Sequence, residues 1–241
     1  MCKIRFSVLI FCISFYTYQY KLAAAEITEP ANTFDILIFS QLWPVTVCKY
    51  WLNDLNGSDC LLPKEKKRWT VHGIWPRKYG ANYTFCNTSW AFDPEQIKSI
   101  ENDLDQAWTP VYNENDHYKF WNHEWLKHGT CGTELETLNS EFKYFSKGIE
   151  WNQDYKLSDM LDAANIFPDD TKEWNPEEFV NAVKARTNKS AMMGCYLIKG
   201  VLYVQELRIC FDKQLNLIDC ETPAVDNFCR SSKSVVFPAN A

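Results

Sequence analysis

Three of the chain's four histidines fall in two short segments rich in tryptophan, Trp69-Thr70-Val71-His72-Gly73-Ile74-Trp75-Pro76 and Phe120-Trp121-Asn122-His123-Glu124-Trp125-Leu126-Lys127-His128-Gly129-Thr130-Cys131. An imidazole titrates near neutrality, so it can take or give a proton under ordinary conditions. Two such groups beside a carboxylate and an ammonium can move protons around a transferring phosphoryl group. Lys127, with Glu124 as its partner, would then hold or neutralise charge developing on the non-bridging oxygens. At about 100° per helical residue, His123, Glu124, Lys127 and His128 fall within an arc of about 140°, and Trp125 and Leu126 fall outside it. This predicts one ionisable face and one core face. A merely solvated charged face is the plain alternative, but it accounts for neither the histidines nor the tryptophans around them. A zinc hydrolase would need histidines four apart around the glutamate, whereas the position four after His123 is Lys127. Two imidazoles about 140° apart do not converge on one ion, and the ammonium between them opposes a divalent cation. The expectation is chemistry with no metal and no cofactor. His117, polar-flanked in Asn115-Asp116-His117-Tyr118, reads as a surface or helix-start residue.

The two segments closely resemble the strand motif xHGLWP and the helix motif HEWxKHGTC of the ribonuclease T2 family of acid endoribonucleases. Ser40-Gln41-Leu42-Trp43-Pro44 with Val47-Cys48, and Phe85-Cys86-Asn87-Thr88-Ser89-Trp90, extend the resemblance over roughly residues 34 to 230. Ile74 stands where leucine is usual. The resemblance implies a metal-independent endoribonuclease acting on single-stranded RNA and not on DNA, which lacks the 2′-hydroxyl nucleophile. His128 would be the base that takes the 2′-OH proton, and His72 the acid that protonates the leaving 5′-oxygen. Glu124 and Lys127 would stabilise the pentacovalent state, His123 would bind phosphate, and Trp75 would support or stack on a base. Arg77 departs from the acidic residue frequent after the proline, so no base preference is implied. The implied disulfides are Cys48–Cys60, Cys86–Cys131, Cys195–Cys229 and Cys210–Cys220.

The elements that must position these residues can be read from pattern. Phe34 to Trp43 carries apolar residues on both sides, as a central strand covered on both faces would. Arg68 to His72 is a second candidate strand, with Gly73 and Pro76 expected to interrupt it. Asp93-Pro94-Glu95-Gln96 has an N-cap, a proline at the first helical position and a capping-box glutamine, and Asn175-Pro176-Glu177-Glu178 repeats the pattern. Tyr118 to His128 reads as a helix ended by Gly129, and Leu157 to Ala164 as a shorter one. Met192 to Ile198, Val201 to Phe211 and Leu215 to Asp219, separated by Lys199-Gly200 and Asp212-Lys213, read as antiparallel strands. The expected class is α+β: one domain with a mainly antiparallel central sheet, packed helices and four disulfides.

Composition sets the compartment. Of 241 residues, 10 are Cys, 10 are Trp and 15% are aromatic, which excludes a disordered or low-complexity chain. Lys3 and Arg5 precede the apolar run Phe6 to Tyr16, and Ala23-Ala24-Ala25 offers a cleavage site. Residues 1–25 are therefore expected to be a signal peptide and 26–241 the catalytic domain; an uncleaved anchor is the alternative, but the run is short for a membrane span. Removing residues 1–25 takes away Cys2 and Cys12 and leaves an even set of eight cysteines, open from sequence alone to on the order of a hundred pairings. Sequons at Asn56, Asn82, Asn87 and Asn188 fit the same secreted or lysosomal route. The formal net charge is −6, which gives no general steering toward nucleic acid, so RNA must be held by a local cluster. An acidic working pH, which the resemblance implies, would charge the histidines and ease that repulsion. The chain is expected to be a monomer with no membrane anchor. A secreted binding or signalling protein is the competing class, but it would have no need to keep both histidines, the glutamate and the lysine together.

Overall fold

Seven strands form one sheet in the computed structural model, which describes residues 33–65, 67–114, 116–220, 229 and 234–241. The expected signal peptide lies outside the described residues. Strand β1 (Ile36–Leu42) is buried along its whole length and runs antiparallel between β2 (Thr70–Arg77) and β5 (Val201–Phe211). Its two apolar faces have separate destinations: Leu37 and Phe39 enter the main core, while Ile36 and Ile38 pack with Cys210 and Cys220 on the other side. Strand β5 also pairs antiparallel with β4 (Met192–Ile198) and β6 (Leu217–Ile218). Beyond it, β7 (Val235–Phe237) lies parallel to β5 and carries β3 (Asp169–Trp174) as the far edge. The sheet is thus mainly antiparallel, and with its helices the molecule is α+β.

Strand β2 does not stop at Gly73 or Pro76. It runs on to Arg77, with Pro76 opposite Leu37. The reason is position: β2 is an edge strand, where a proline that lacks an N–H deprives no neighbour of a ladder bond. The ladder between β1 and β2 slips once, pairing Ser40 with Gly73 and Gln41 with Val71. His72 is therefore the extra residue of a β-bulge, a device that re-aims a side chain at a strand edge.

Six α-helices among the described residues cover the sheet. Helix α1 (Pro44–Asp54) starts directly after β1, with the proline that ends the strand at a helix-opening position. Helix α2 (Glu101–Ala107) follows a 3-10 stretch, Pro94–Ile100, capped by Asp93. The expected capping box is not made there, because the Asp93 amide donates to the Glu141 carboxylate and Gln96 bonds the Asp93 side chain instead. Helix α3 (Lys119–Lys127) carries the second motif. Helix α4 (Glu141–Asp154) opens on Ser140, whose hydroxyl caps Lys143, and buries Tyr144, Phe145, Gly148 and Trp151 at helical spacing. Helices α5 (Leu157–Ala163) and α6 (Pro176–Thr187) complete the set, and α6 has the full Asn175–Glu178 capping box. Lys199 and Gly200, both at positive φ, make the tight turn between β4 and β5.

Fully buried tryptophans tie these layers to the motif strand. Trp121 Nε1 donates to the Trp108 carbonyl at 2.9 Å, and Trp108 Nε1 donates to the His72 carbonyl at 3.0 Å. A chain of two indoles thus links α3 to the backbone of the bulge. Disulfides join Cys48–Cys60, Cys86–Cys131, Cys195–Cys229 and Cys210–Cys220. The second clamps the segment after β2 to the turn that follows α3, where Phe85 N–H also donates to the Lys127 carbonyl at 2.9 Å. No described helix is long and apolar enough to cross a membrane.

Candidate active site

The bulge carries His72 to the side of β2 where Trp75 and Gly73 already lie. The His72 ring meets the Trp75 indole edge-on at 4.9 Å between centroids, and His128 lies 5.3 Å from the same indole at a tilt. Trp75 therefore sits between the two imidazoles. Its Nε1 donates to Glu124 Oε2 at 2.9 Å. That bond passes over Gly73, where a Cβ would fall 2.2 Å from both Glu124 Oε2 and Trp75 Nε1. Glycine is required here for space, because any larger residue would occupy the path of the bond.

Helix α3 does not divide into a solvated face and a core face. Glu124 is buried at 2% exposure, bound to Trp75, and is not ion-paired with Lys127. Among the described residues, Lys127 has no carboxylate partner. His128 follows the last helical turn as its cap residue, with φ −123° and ψ −48°, so the wheel does not place its ring. His123 is exposed on the cleft wall. His117 lies apart from this group, its Nε2 3.1 Å from Asp105 and its ring edge-on to Trp121.

Sequence reasoning missed the residues behind His72. Its Nδ1 lies 2.7 Å from Oε2 of Glu206, a β5 residue at 2% exposure. Ser40 of β1 donates to the same oxygen at 2.7 Å, and Arg208 of β5 binds Oε1. The Arg208 guanidinium also lies over the Trp75 ring at 5.3 Å. Glu206 interrupts an apolar strand, which was the signal available in the sequence. Its meaning depends on β5 lying beside β1, and no local pattern states that.

These surroundings drive the two histidines apart. Burial works against a charged His72, but the hydrogen bond and charge of Glu206, with a smaller contribution from Glu124, outweigh it and raise its pKa. Burial lowers His128 to about 3, and the charges of Lys127, His72 and His123 add to the effect. Burial lifts Glu124 to about 7 against the charge of His72, the Trp75 bond and Lys127. Glu206 is held at about 2: Arg208, His72 and Ser40 together overcome its burial. Partial burial of the His123 ring against the cleft wall, together with the charge of Lys127, lowers its pKa. Two histidines with opposed displacements are suited to divide the work of an acid and a base.

Beside the pair opens a cleft of about 590 Å³, mostly apolar, lined among others by His72, His123, Phe120, Leu126, Phe85, Trp51, Tyr112 and Tyr196. Phe85 reaches it from a backbone with φ +53° and is 48% exposed, a strained conformation for an aromatic residue. The described residues contain no cluster of three or more His, Cys, Asp or Glu side chains able to hold a metal ion. The sequon residues Asn56, Asn82, Asn87 and Asn188 are all exposed.

Comparison with known proteins establishes the family and the fold. The family model for the ribonuclease T2 family matches residues 34–220. Ribonuclease T2 of Danio rerio is 32% identical over 89% of this chain and 84% of its own length, and ribonuclease Oy of Magallana gigas 31% over 83% and 94%. Among solved structures, human RNase T2 superposes with a TM-score of 0.70 at 27% identity, covering 86% of this chain and all of that one. RNase NT, solved with 5′-AMP, gives 0.72 at 25% identity over 85% and 98%. A bulged histidine on an edge strand, a second one at the end of a tryptophan-rich helix and a matching fold over most of the chain lead to one conclusion: the chain belongs to the ribonuclease T2 family and is a T2-type endoribonuclease.

Proposed function

We propose that the protein cleaves single-stranded RNA by metal-independent transphosphorylation, with His128 as base and His72 as acid. The observation that carries this reading is the opposed environment of two imidazoles that flank one indole. In mild acid His128 is neutral and can accept a proton, and His72 is charged and can give one. His128 takes the proton of the 2′-hydroxyl, whose oxygen attacks the adjacent phosphorus. The bond from phosphorus to the 5′-oxygen breaks, and His72 protonates that oxygen. The products are a 2′,3′-cyclic phosphate and a free 5′-hydroxyl. Water then opens the cycle to a 3′-phosphate with the two roles exchanged. Because the nucleophile already sits on the substrate, no metal-activated water is needed, and DNA, without a 2′-hydroxyl, is not cut.

Lys127, uncommitted to any carboxylate among the described residues, and Glu124, protonated below about pH 7, are suited to the non-bridging oxygens, with His123 as a further phosphate contact. The cleft begins at His72, the residue assigned to the leaving oxygen, so the nucleoside on the 3′ side of the scissile bond belongs there, against Phe120 and Phe85. Trp75, half-buried between the histidines, supports the base on the other side. The same reading includes a signal peptide over residues 1–25, secretion or lysosomal delivery, glycans on the four exposed asparagines and action as a monomer. The test is a pH series of RNA cleavage by purified protein in EDTA, with product analysis. Cyclic phosphate formed in EDTA, and lost in His72→Ala and His128→Ala variants that remain folded, is the expected result. Cleavage abolished by EDTA, or retained by both variants, would refute the reading.

A further inference from the structure

We propose that Glu206 is the positioning residue of His72: its carboxylate anchors Nδ1, fixes the tautomer that carries a proton there, and leaves Nε2 for the leaving oxygen in the cleft. The inference rests on the ribonuclease reading above, because it assigns a task to the partner of the acid. It begins with the ladder. Glu206 and Arg208 lie two apart on β5 and share a face, and Ser40 of β1 stands directly opposite Arg208 and directly opposite Gly73 of β2. Three adjacent strands thus bring Glu206, Ser40 and the bulged His72 to one point. Glu206 Oε2 faces His72 Nδ1 and Ser40 Oγ, each at 2.7 Å, and Arg208 holds Oε1. Both carboxylate oxygens are engaged, so the side chain cannot rotate away from the imidazole.

A buried carboxylate on the inner nitrogen of a histidine orients the ring, selects the tautomer and stabilises the imidazolium, without itself taking the proton. The other groups around His72 are divided. Arg208 on β5, His123 on α3 and His128 beyond it disfavour a second positive charge, and Glu124 of α3 favours it. Burial also disfavours the charge. Glu206 is the group in hydrogen-bond contact that reverses the balance. The Trp108 indole fixes the carbonyl of the same residue, so backbone and ring are each held from one side. Were Glu206 neutral, only Glu124 would oppose burial and Arg208, and His72 would shed its proton at lower pH.

The test compares wild type, Glu206→Gln and Glu206→Asp in two measurements. NMR titration of the His72 ring protons without RNA, assigned by their loss in His72→Asn, reads the imidazole directly. The pH dependence of kcat/KM on an oligoribonucleotide in EDTA reads its use. In Glu206→Gln the His72 midpoint should fall by about one unit or more, and the alkaline limb of the rate profile should move down with it, so that the loss is about tenfold greater at pH 7.5 than at pH 5. Glu206→Asp, which keeps the charge on a shorter arm, should restore part of both shifts. A purely structural role would lower activity equally at every pH. A folded Glu206→Gln protein with an unmoved His72 midpoint would overturn the proposal. Should that variant not fold, Glu206→Asp decides: a midpoint below wild type supports the proposal, and one equal to wild type overturns it. A midpoint that falls while the limb stays would instead refute His72 as the acid, and no cleavage by the wild type in EDTA would refute the ribonuclease reading. The two failures are therefore distinguishable.

Discussion

Replacing Gly73 with alanine is the smallest change that should disable the site while leaving the sheet standing. The new methyl would lie 2.2 Å from Glu124 Oε2, 2.2 Å from Trp75 Nε1 and 2.9 Å from Trp75 Cδ1, and ordinary contact begins near 3.4 Å. The two bonded atoms must therefore each withdraw by about 1.2 Å, along with a ring packed between His72 and His128 and beneath Arg208. Overpacking of this kind costs about 1–3 kcal/mol, partly offset because alanine in a strand is better than glycine by about 0.5–1 kcal/mol. A domain stable by about 5–15 kcal/mol stays folded through that loss. Activity should fall further than stability: a displacement of about 1 Å between reacting groups costs about 10²-fold, equivalent to about 2.7 kcal/mol in the barrier. Initial rates on an oligoribonucleotide at pH 5, with thermal unfolding of the same samples, make the comparison. Gly80→Ala is the control. At φ +70° with nothing within 4 Å of its Cβ position, alanine there should lower stability by about 1 kcal/mol through backbone strain and leave the rate alone. If Gly73→Ala keeps kcat/KM within about threefold of wild type, the Trp75–Glu124 bond does not hold the site together and the reasoning is wrong.

Stability should peak in mild acid. Glu141, buried and bonded to the Asp93 amide, is pushed up to about 7 by burial, and Glu124 likewise. Each folded-state pKa lies above the unfolded value, so the stability it contributes is complete below about pH 4.5 and lost as pH rises through 7. Glu206, held at about 2, contributes in the opposite sense, and its share is lost as pH falls below about 4.5 toward 2. The melting temperature should therefore drop from pH 5 to pH 8, and Glu141→Gln should flatten that drop; an unchanged slope would count against the burial argument. Phe85→Gly tests the strained aromatic in the cleft: release of the φ +53° backbone should hold or raise the melting temperature by the equivalent of about 1 kcal/mol, while lost stacking, worth about 1–3 kcal/mol per base, raises KM. A KM equal to wild type would remove Phe85 from substrate binding.

Much of the frame was legible in the residues. The bounds of β4 and β5 follow from apolar runs on either side of Lys199-Gly200, and α6 from its capping box, because both signals are local. Helix α4 is equally marked, with a serine cap and large residues spaced for burial, whereas helix α1 opens on Pro44 directly after a strand pattern and carries no polar cap. The histidines, Lys127 and the glycine between the motif residues were visible by type and spacing. What spacing could not convey was depth. Glu124 lies on the ionisable arc of the helical wheel yet is buried, because β2 passes beneath that arc with a glycine at the point of contact. Glu206 is a still longer-range case, since its neighbours Ser40 and His72 are 166 and 134 residues away along the chain.

That separation orders events during synthesis. A chain leaves the ribosome with β1, β2 and α3 complete long before β5, and pairing between such distant segments closes late. Both histidines are then present, but β1 lacks its inner neighbour and His72 has no carboxylate behind it. A fragment ending anywhere between Cys131 and Glu206 would carry both sequence motifs and, on the roles proposed above, no positioned acid. On the roles proposed for His72 and Glu206, competence would be a property of the finished polypeptide: a nuclease made by translating RNA would be withheld from action until translation of its own message is nearly done.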